Sequence, residues 1–217
     1  MHSILNSWLI EGLEAAYFNL FFMVWNTFLA VIPFVLSLWL FRGHGAHART
    51  FVWWIGFFTF VAFLPNAPYV LTDIIHLVHD IRQGQSIWAI SIILVPQYFL
   101  FMLIGFEAYV AALINFNRYL SRAGQKRWVC PSELLLHGLT AIGIYLGRFL
   151  RFNSWDIVTR PDTLVIETVE RVLHKQPLAI IFATFCIITV LYWLMKQLTL
   201  ALLLYWRTRR LRTVRRY

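Results

Sequence analysis

The stretch FVWWIGFFTFVAFLPNAPYVLTDIIHLVHD, residues 51–80, is apolar through its first two-thirds and mixes polar with apolar residues after that. It contains no charged residue or histidine before Asp73. Because an α-helix rises about 1.5 Å per residue, about 20 apolar residues cross the roughly 30 Å hydrocarbon core of a bilayer. The stretch therefore predicts a membrane-spanning helix with polar groups gathered at one end.

The whole chain shares this composition, with 60% hydrophobic and 13% charged residues among 217. The surface of a soluble domain does not tolerate such a composition. Strands are not predicted, because alternation with a period of two is absent. We predict an all-α membrane helical bundle that forms one integral domain over residues 1–217. Its five spans lie near Tyr17–Phe41, Phe51–Thr72, Ile87–Asn115, Glu133–Leu150 and Leu178–Trp206.

Lysine and arginine gather in three places: the loop after the first span, the loop after the third, and the tail RTRRLRTVRRY, residues 207–217. With five spans all three fall on one side, which the positive-inside rule makes cytoplasmic. The fourth loop departs from this rule, since it would lie outside and yet carries Arg151, Arg160, Arg171 and Lys175. We expect the N-terminus outside and the C-terminus in the cytoplasm.

The basic tail predicts contact with anionic lipids at the cytoplasmic face of the bilayer. No aromatic or motif context supports binding to nucleic acid. The chain has no Walker loop, dinucleotide fingerprint or GxSxG motif, so no cofactor can be named. A candidate interfacial helix, RPDTLVIETVERVLHK at residues 160–175, has Pro161 near its start; an ordinary solvated helix is the alternative.

Polar residues after Pro65 predict a two-faced helix. Asn66 is expected to cap this helix, whose first turn contains Pro68. At about 100° per residue, one arc of about 60° holds Asn66, Tyr69, Asp73, His76 and Asp80, with Thr72 and His79 beside it. The opposite side is predicted to hold Val70, Leu71, Ile74, Ile75, Leu77 and Val78. Since Asp or His facing hydrocarbon is costly, we expect the polar face to point into the bundle or a wet cavity.

The end of the fourth span, GIYLGRFLRFNSWD at residues 143–156, is predicted to reach the same side of the membrane. Gly143 and Gly147 form a GxxxG pair that allows close helix approach, and Arg151 is expected on the glycine face one turn later. The polar residues brought there are Arg148, Arg151, Asn153, Trp155 and Asp156.

Two blocks, FLPNAPYVLTDIIHL and YLGRFLRFNSWD, resemble the signature pair of a family of bacterial integral membrane proteins that carries only a domain-of-unknown-function label. The resemblance implies a multi-pass protein of the bacterial plasma membrane. It implies no reaction. Its defining positions would be Asn66, Pro68, Tyr69, Thr72, Asp73, His76, Arg148, Arg151, Asn153, Trp155 and Asp156.

We interpret Asp73 and His76 as candidate catalytic residues. Candidate substrate-binding residues are Asn66, Tyr69, Thr72, Arg148, Arg151, Asn153, Trp155 and Asp156. The alternative for Asp73 is a buried pair with Arg148 or Arg151 that fixes helix register. A divalent metal on Asp73, His76 and Asp80, with His79 as a spare ligand, is the less favoured alternative to a hydrogen-bonded polar helix, because the spacing is not a known zinc pattern; no metal-binding residue is assigned. Glu107 is expected to be neutralised by a hydrogen bond or to lie near the interface, and His137 and Thr140 to be helix-packing groups.

These residues favour an enzyme or binding protein for an anionic lipid-linked or envelope substrate in the outer leaflet. One alternative is a small transporter coupled to protons through Glu107 and Asp73, which would require a homo-oligomer. Another is a non-catalytic assembly or regulatory subunit that binds a membrane-protein partner. The sequence alone leaves open whether the protein is an enzyme.

Overall fold

A computed structural model of the protein describes residues 2–43, 50–151, 159 and 175–214. Its regular structure over these residues is helical, without strands. Five segments are long and apolar enough to cross a membrane, namely Trp8–Arg42, Phe51–Arg82, Ile87–Arg122, Lys126–Phe149 and Lys175–Arg209. The predicted all-α, five-span bundle is confirmed, and each helical segment extends past its predicted bounds at one end or both. The candidate interfacial helix at residues 160–175 lies, except for its last residue, outside the described residues.

The helices are α1 (His2–Arg42), α2 (Phe51–Phe63), α3 (Asn66–Tyr69), α4 (Ile74–Arg82), α5 (Ile87–Ala89), α6 (Val95–Arg122), α7 (Val129–Phe149) and α8 (Lys175–Val214). A 3₁₀ turn, Val70–Asp73, connects α3 to α4, and a second, Lys126–Trp128, precedes α7. A π-helical segment, Ile90–Leu94, joins α5 to α6. Pro96 lies two residues after its end and cannot donate a backbone hydrogen bond to the preceding turn, which accounts for the widened turn.

The central element is α6, which packs along α1 and also contacts α7 and α8. Its residues Tyr98, Tyr109 and Leu113 are fully buried. Large apolar side chains cover the outside of the bundle, including Phe18, Phe21 and Phe182. Such a surface suits contact with lipid chains rather than water.

The second span is interrupted near its middle, as the two prolines predict. Helix α2 ends at Phe63, and α3 begins at Asn66 after a turn at Leu64 and Pro65. The expectation that Asn66 caps the following helix is wrong, because Asn66 is already helical and its Nδ2 donates to the Phe63 carbonyl at 3.0 Å. Asn66 thus satisfies an orphan carbonyl at the end of α2.

Two glycines let the neighbouring helices approach this interruption closely. A Cβ atom at Gly143 of α7 would lie 2.5 Å from Pro65 Cγ, and one at Gly105 of α6 would lie 2.6 Å from Val70 Cγ2. Only a residue without a side chain fits at such separations. The predicted close approach at Gly143 is therefore confirmed, and it places the end of α7 beside the polar segment.

Candidate functional site

Asp73 ends the 3₁₀ turn and is almost completely buried, with 2% of its side chain exposed. Its Oδ2 accepts a hydrogen bond from Asn26 Nδ2 of α1 at 2.8 Å. Its Oδ1 accepts one from Arg148 Nη1 of α7 at 3.4 Å. A buried carboxylate needs such partners, because its desolvation is otherwise very costly. We call Asn26, Asp73, His76 and Arg148 the Asp73 site.

Arg148 is held by several groups of the interrupted span. Its Nη2 donates to the Thr72 carbonyl at 3.1 Å, and its Nη1 lies 3.4 Å from the Tyr69 hydroxyl. The guanidinium carbon also lies 5.9 Å from the centre of the Tyr69 ring, within cation–π range. Its side chain is 22% exposed, so the guanidinium is fixed in place without being sealed from the surroundings.

His76 is the accessible member of the Asp73 site, with 48% of its side chain exposed. Its Nε2 lies 3.9 Å from Asp73 Oδ1, which is too long for a hydrogen bond. The imidazole packs against the Phe22 ring, with centroids 4.9 Å apart. A half-exposed imidazole is accessible to a bound molecule, as a group that acts in proton transfer must be.

Asp80 contacts a pair of residues outside the Asp73 site. Its Oδ2 accepts hydrogen bonds from Asn19 Nδ2 at 2.8 Å and from the Tyr98 hydroxyl at 3.2 Å. Asp73, His76 and Asp80 therefore do not converge on one point. Among the residues that the structure describes, no three His, Cys, Asp or Glu side chains are grouped to hold a metal ion.

The predicted division of faces after Pro65 is partly wrong. Val70 and Leu77, expected on the apolar side, are buried together with Asp73. The 3₁₀ turn advances about 120° per residue instead of 100°, which shifts the two faces relative to a uniform helix. The carboxylates therefore lie within an apolar interface, and the side of α4 turned away from the bundle exposes Ile74, Ile75 and Val78.

Two further candidate residues bond to nearby backbone. The Thr72 hydroxyl donates to the Tyr69 carbonyl at 2.7 Å, and Asn66 donates to Phe63 as described above. Besides Asp73, the groups of this segment that contact Arg148 directly are the Tyr69 side chain and the Thr72 carbonyl.

The expectation that Arg151 lies on the glycine face of α7 is wrong. The helix ends at Phe149, and Arg151 is exposed with a φ of 58°, in the left-handed region. A residue in that conformation does not continue the helix, so the periodicity that aligned it with Gly143 no longer applies. The remaining candidates, Asn153, Trp155 and Asp156, lie outside the described residues.

A family model described as "Protein of unknown function (DUF1361)" matches residues 25–190, most of the chain. The chain belongs to the DUF1361 family. All four residues of the Asp73 site lie within the matched stretch. Searches of curated proteins and of solved structures found no match. Membership of the DUF1361 family assigns no reaction, so the chemistry must be argued from the geometry.

This DUF1361 protein has a second buried polar group that the sequence interpretation missed. Glu133 Oε1, at the start of α7, accepts hydrogen bonds from Asn117 Nδ2 of α6 and from the Tyr192 hydroxyl and Lys196 Nζ of α8. We call these four residues the Glu133 cluster. Lys196 is the one charged residue between Leu178 and Trp206 in the sequence, and a lone charge in a span signals a carboxylate partner elsewhere.

Buried polar groups between the two sites pair across helices. The Tyr109 hydroxyl lies 2.6 Å from His137 Nδ1, and the His137 ring packs 4.7 Å from the Tyr192 ring. Glu107 Oε1 accepts a hydrogen bond from the Thr199 hydroxyl at 2.7 Å. These contacts agree with the interpretation of His137 as a packing group and of Glu107 as hydrogen-bonded.

Proposed function

We propose that this protein binds an anionic lipid-linked or envelope substrate at the Asp73 site and transfers a proton to or from it. The site would face outward from a bacterial plasma membrane, with the N-terminus outside and the C-terminus in the cytoplasm. The alternative without catalysis, a binding protein for the same substrate, uses the same residues.

The observation that carries this proposal is the way Arg148 is held. Asp73, the Thr72 carbonyl and the Tyr69 ring fix the guanidinium, while 22% of the side chain stays exposed. Both terminal nitrogens already donate within the fold, and no described residue accepts a hydrogen bond from Nε. A planar guanidinium of fixed orientation that keeps such a donor suits charge-assisted contact with a phosphate or carboxylate. If the Asp73–Arg148 pair served only to fix the register of the helices, exposure of the guanidinium would contribute nothing to that role.

The roles of the other residues follow from their burial. Asp73 is inaccessible, so we assign it the positioning of Arg148, in place of direct proton transfer. His76 is half exposed and lies on the same span, so it is the group we assign to move the proton. Tyr69 lies between the backbone and Arg148 and would orient the bound group.

The outward placement rests on the distribution of arginine. Arg42, at the end of α1, contacts Asn115 of α6, and Arg122 contacts the Phe41 carbonyl, so the basic loops lie at one end of the bundle. Phe22, which packs against His76, also packs against Phe101 of α6, and Phe101 lies about 24 Å along α6 from Asn117. The Asp73 site is therefore far from the end that the positive-inside rule assigns to the cytoplasm.

The test is ligand binding by the full-length protein in mild detergent, followed by native mass spectrometry. The probes are a short polyprenyl phosphate and the corresponding uncharged prenol. We expect wild type to bind the phosphate but not the prenol, and Arg148→Gln to bind it about tenfold more weakly or worse, since charge-assisted contacts are lost. Arg82→Gln is the matched control, because Arg82 is exposed at the end of α4 and outside the site.

Binding to Arg148→Gln as strong as to wild type would reject the proposal. If Arg148→Gln does not fold, His76→Gln provides the second measurement, because its exposed side chain is not needed for packing; the rate of any proton-dependent conversion must then fall. A wild type that is inert with both probes and co-purifies with a stoichiometric protein would favour the regulatory subunit. Gradient-dependent uptake into vesicles would favour the transporter.

A further inference from the structure

A cleft at the arginine-rich end of the bundle has features of a second binding site. It is a cavity of about 540 Å³ between α1, α6 and α8. Its polar lining includes Arg42, Asn115, Arg118, Arg122 and Lys196, which together we call the basic cleft. No Asp or Glu is among the described residues that line it.

Arg42 is held in position by a buried polar relay. Its Nε donates to Asn115 Oδ1 at 3.2 Å, Asn115 Nδ2 donates to the Ser37 hydroxyl at 3.0 Å, and Ser37 donates to the Phe34 carbonyl at 2.6 Å. Asn115 and Ser37 are both buried. A cation needed only to orient the chain in the membrane requires no such relay. The relay uses the Nε of Arg42, and no described residue accepts a hydrogen bond from its two terminal nitrogens, which suit a ligand.

The remaining cations are not equivalent. Arg122 Nη2 donates to the Phe41 carbonyl at the end of α1, where a cation offsets the partial negative charge of the helix terminus. Lys196 pairs with Glu133. Arg118 is exposed, and no described residue accepts a hydrogen bond from its guanidinium. Among the described residues that line the cleft, Arg42 and Arg118 are therefore the arginines whose terminal nitrogens donate to no other residue.

The other wall of the basic cleft is apolar, formed by Phe41, Ile114 and Leu200. The volume falls within the range of about 300–1,000 Å³ typical of small-molecule sites. One guanidinium held in place, that of Arg42, with that of Arg118 and an apolar lining in the same cleft, matches a ligand that has a phosphate at one end and carbon at the other.

We propose that the basic cleft binds a phosphate ester through Arg42 and Arg118. This chemistry has two sources, the headgroup of a membrane phospholipid and a soluble phosphate ester. The site is separate from the Asp73 site and does not depend on the function proposed there.

The experiment uses the full-length protein in mild detergent and native mass spectrometry with three probes: dihexanoyl phosphatidylglycerol, glycerol phosphate, and uncharged dihexanoylglycerol. The variants are Arg118→Gln and Arg127→Gln. Arg127 is the matched control, because it is exposed at the same end of the bundle and does not line the cleft. Arg118 is exposed, so its substitution should leave folding intact.

We expect one phosphate-bearing probe to bind wild type, and its apparent Kd to rise about tenfold in Arg118→Gln, with no change in Arg127→Gln. Binding of the lipid but not of glycerol phosphate assigns a membrane phospholipid; equal binding of both assigns a soluble ester. The proposal is overturned if neither phosphate-bearing probe binds, or if dihexanoylglycerol binds as tightly as dihexanoyl phosphatidylglycerol. It is also overturned if Arg118→Gln and Arg127→Gln have the same apparent Kd.

Discussion

Arg148 Nη1 lies 3.4 Å from Asp73 Oδ1, and this ion pair connects the end of α7 to the 3₁₀ turn of the interrupted second span. The two partners differ in environment, with 22% of the Arg148 side chain exposed but only 2% of Asp73. Loss of one partner therefore does not cost the same as loss of the other. Substitution of each partner in turn should therefore change the free energy of unfolding by different amounts.

Arg148→Met should destabilise the protein more than Asp73→Asn. The first leaves a carboxylate buried beside Asn26 alone, at an expected cost of about 2–4 kcal/mol. Asp73→Asn leaves the Arg148 guanidinium without its carboxylate, but this cation is partly exposed and its flexible side chain can extend to water. The expected cost is about 1 kcal/mol. Free energies of unfolding from SDS titration in mixed micelles give both values.

The double variant Asp73→Asn/Arg148→Met completes the cycle. It should cost about 1–2 kcal/mol less than the sum of the single changes, because no charge then stays without its partner. Strict additivity would show that Asp73 and Arg148 do not interact in the folded protein, and the assignment of Asp73 as a positioning residue would be wrong.

His76→Gln should leave stability unchanged within about 0.5 kcal/mol, since the imidazole is half exposed and makes no hydrogen bond to Asp73. Binding of the anionic probe should also persist, because Arg148 is intact. Only proton-dependent conversion of the substrate should fall. Phe22→Leu serves as the control, since it removes the ring that packs on His76 and keeps the imidazole. A large loss of stability in His76→Gln would make the residue structural.

Much of the fold follows from local signals in the sequence. Apolar length gives five spans, and Pro65 with Pro68 marks the interruption of the second. The predicted topology puts the polar segment after Pro65 and the end of the fourth span on one side of the membrane, and on that basis the sequence predicts that they meet. Asp73 is predicted to pair with Arg148 or Arg151, and the pair with Arg148 is the one that the structure contains.

Other features depend on contacts between distant segments, which one sequence does not reveal. Asn26 is one of three asparagines in α1, and nothing near it in the sequence indicates a carboxylate partner. Glu133 was interpreted as the start of a span, although its partners lie on α6 and α8. The burial of Leu77 beside Asp73 depends on a 3₁₀ turn that uniform helical periodicity does not include.

Gly143→Ala should destabilise the bundle and weaken binding at the Asp73 site. The new methyl group would lie 2.5 Å from Pro65 Cγ and 2.8 Å from Pro65 Cβ, on a ring that cannot rotate away. Overpacking of this kind costs about 1–3 kcal/mol and would push the end of α7, with Arg148, from the second span.

Gly138→Ala is the matched control for Gly143→Ala, on the same helix. A Cβ atom at Gly138 meets nothing within 4 Å, so the change should be neutral or raise stability by up to about 1 kcal/mol through helix propensity. Equal effects of the two substitutions in SDS titration would mean that α7 does not approach Pro65 as closely as the structure has it.

Lys196→Met should be the most destabilising single change in the Glu133 cluster. It leaves the Glu133 carboxylate, which is largely buried, with two neutral donors and no cation, at an expected cost of about 2–4 kcal/mol. Tyr192→Phe removes one of the neutral donors and should cost about 1 kcal/mol. Thr184→Val is the control on α8, because that exposed hydroxyl donates only to the Ile180 carbonyl of its own helix. The cluster would have no role in stability if Lys196→Met unfolds at the same SDS fraction as Thr184→Val.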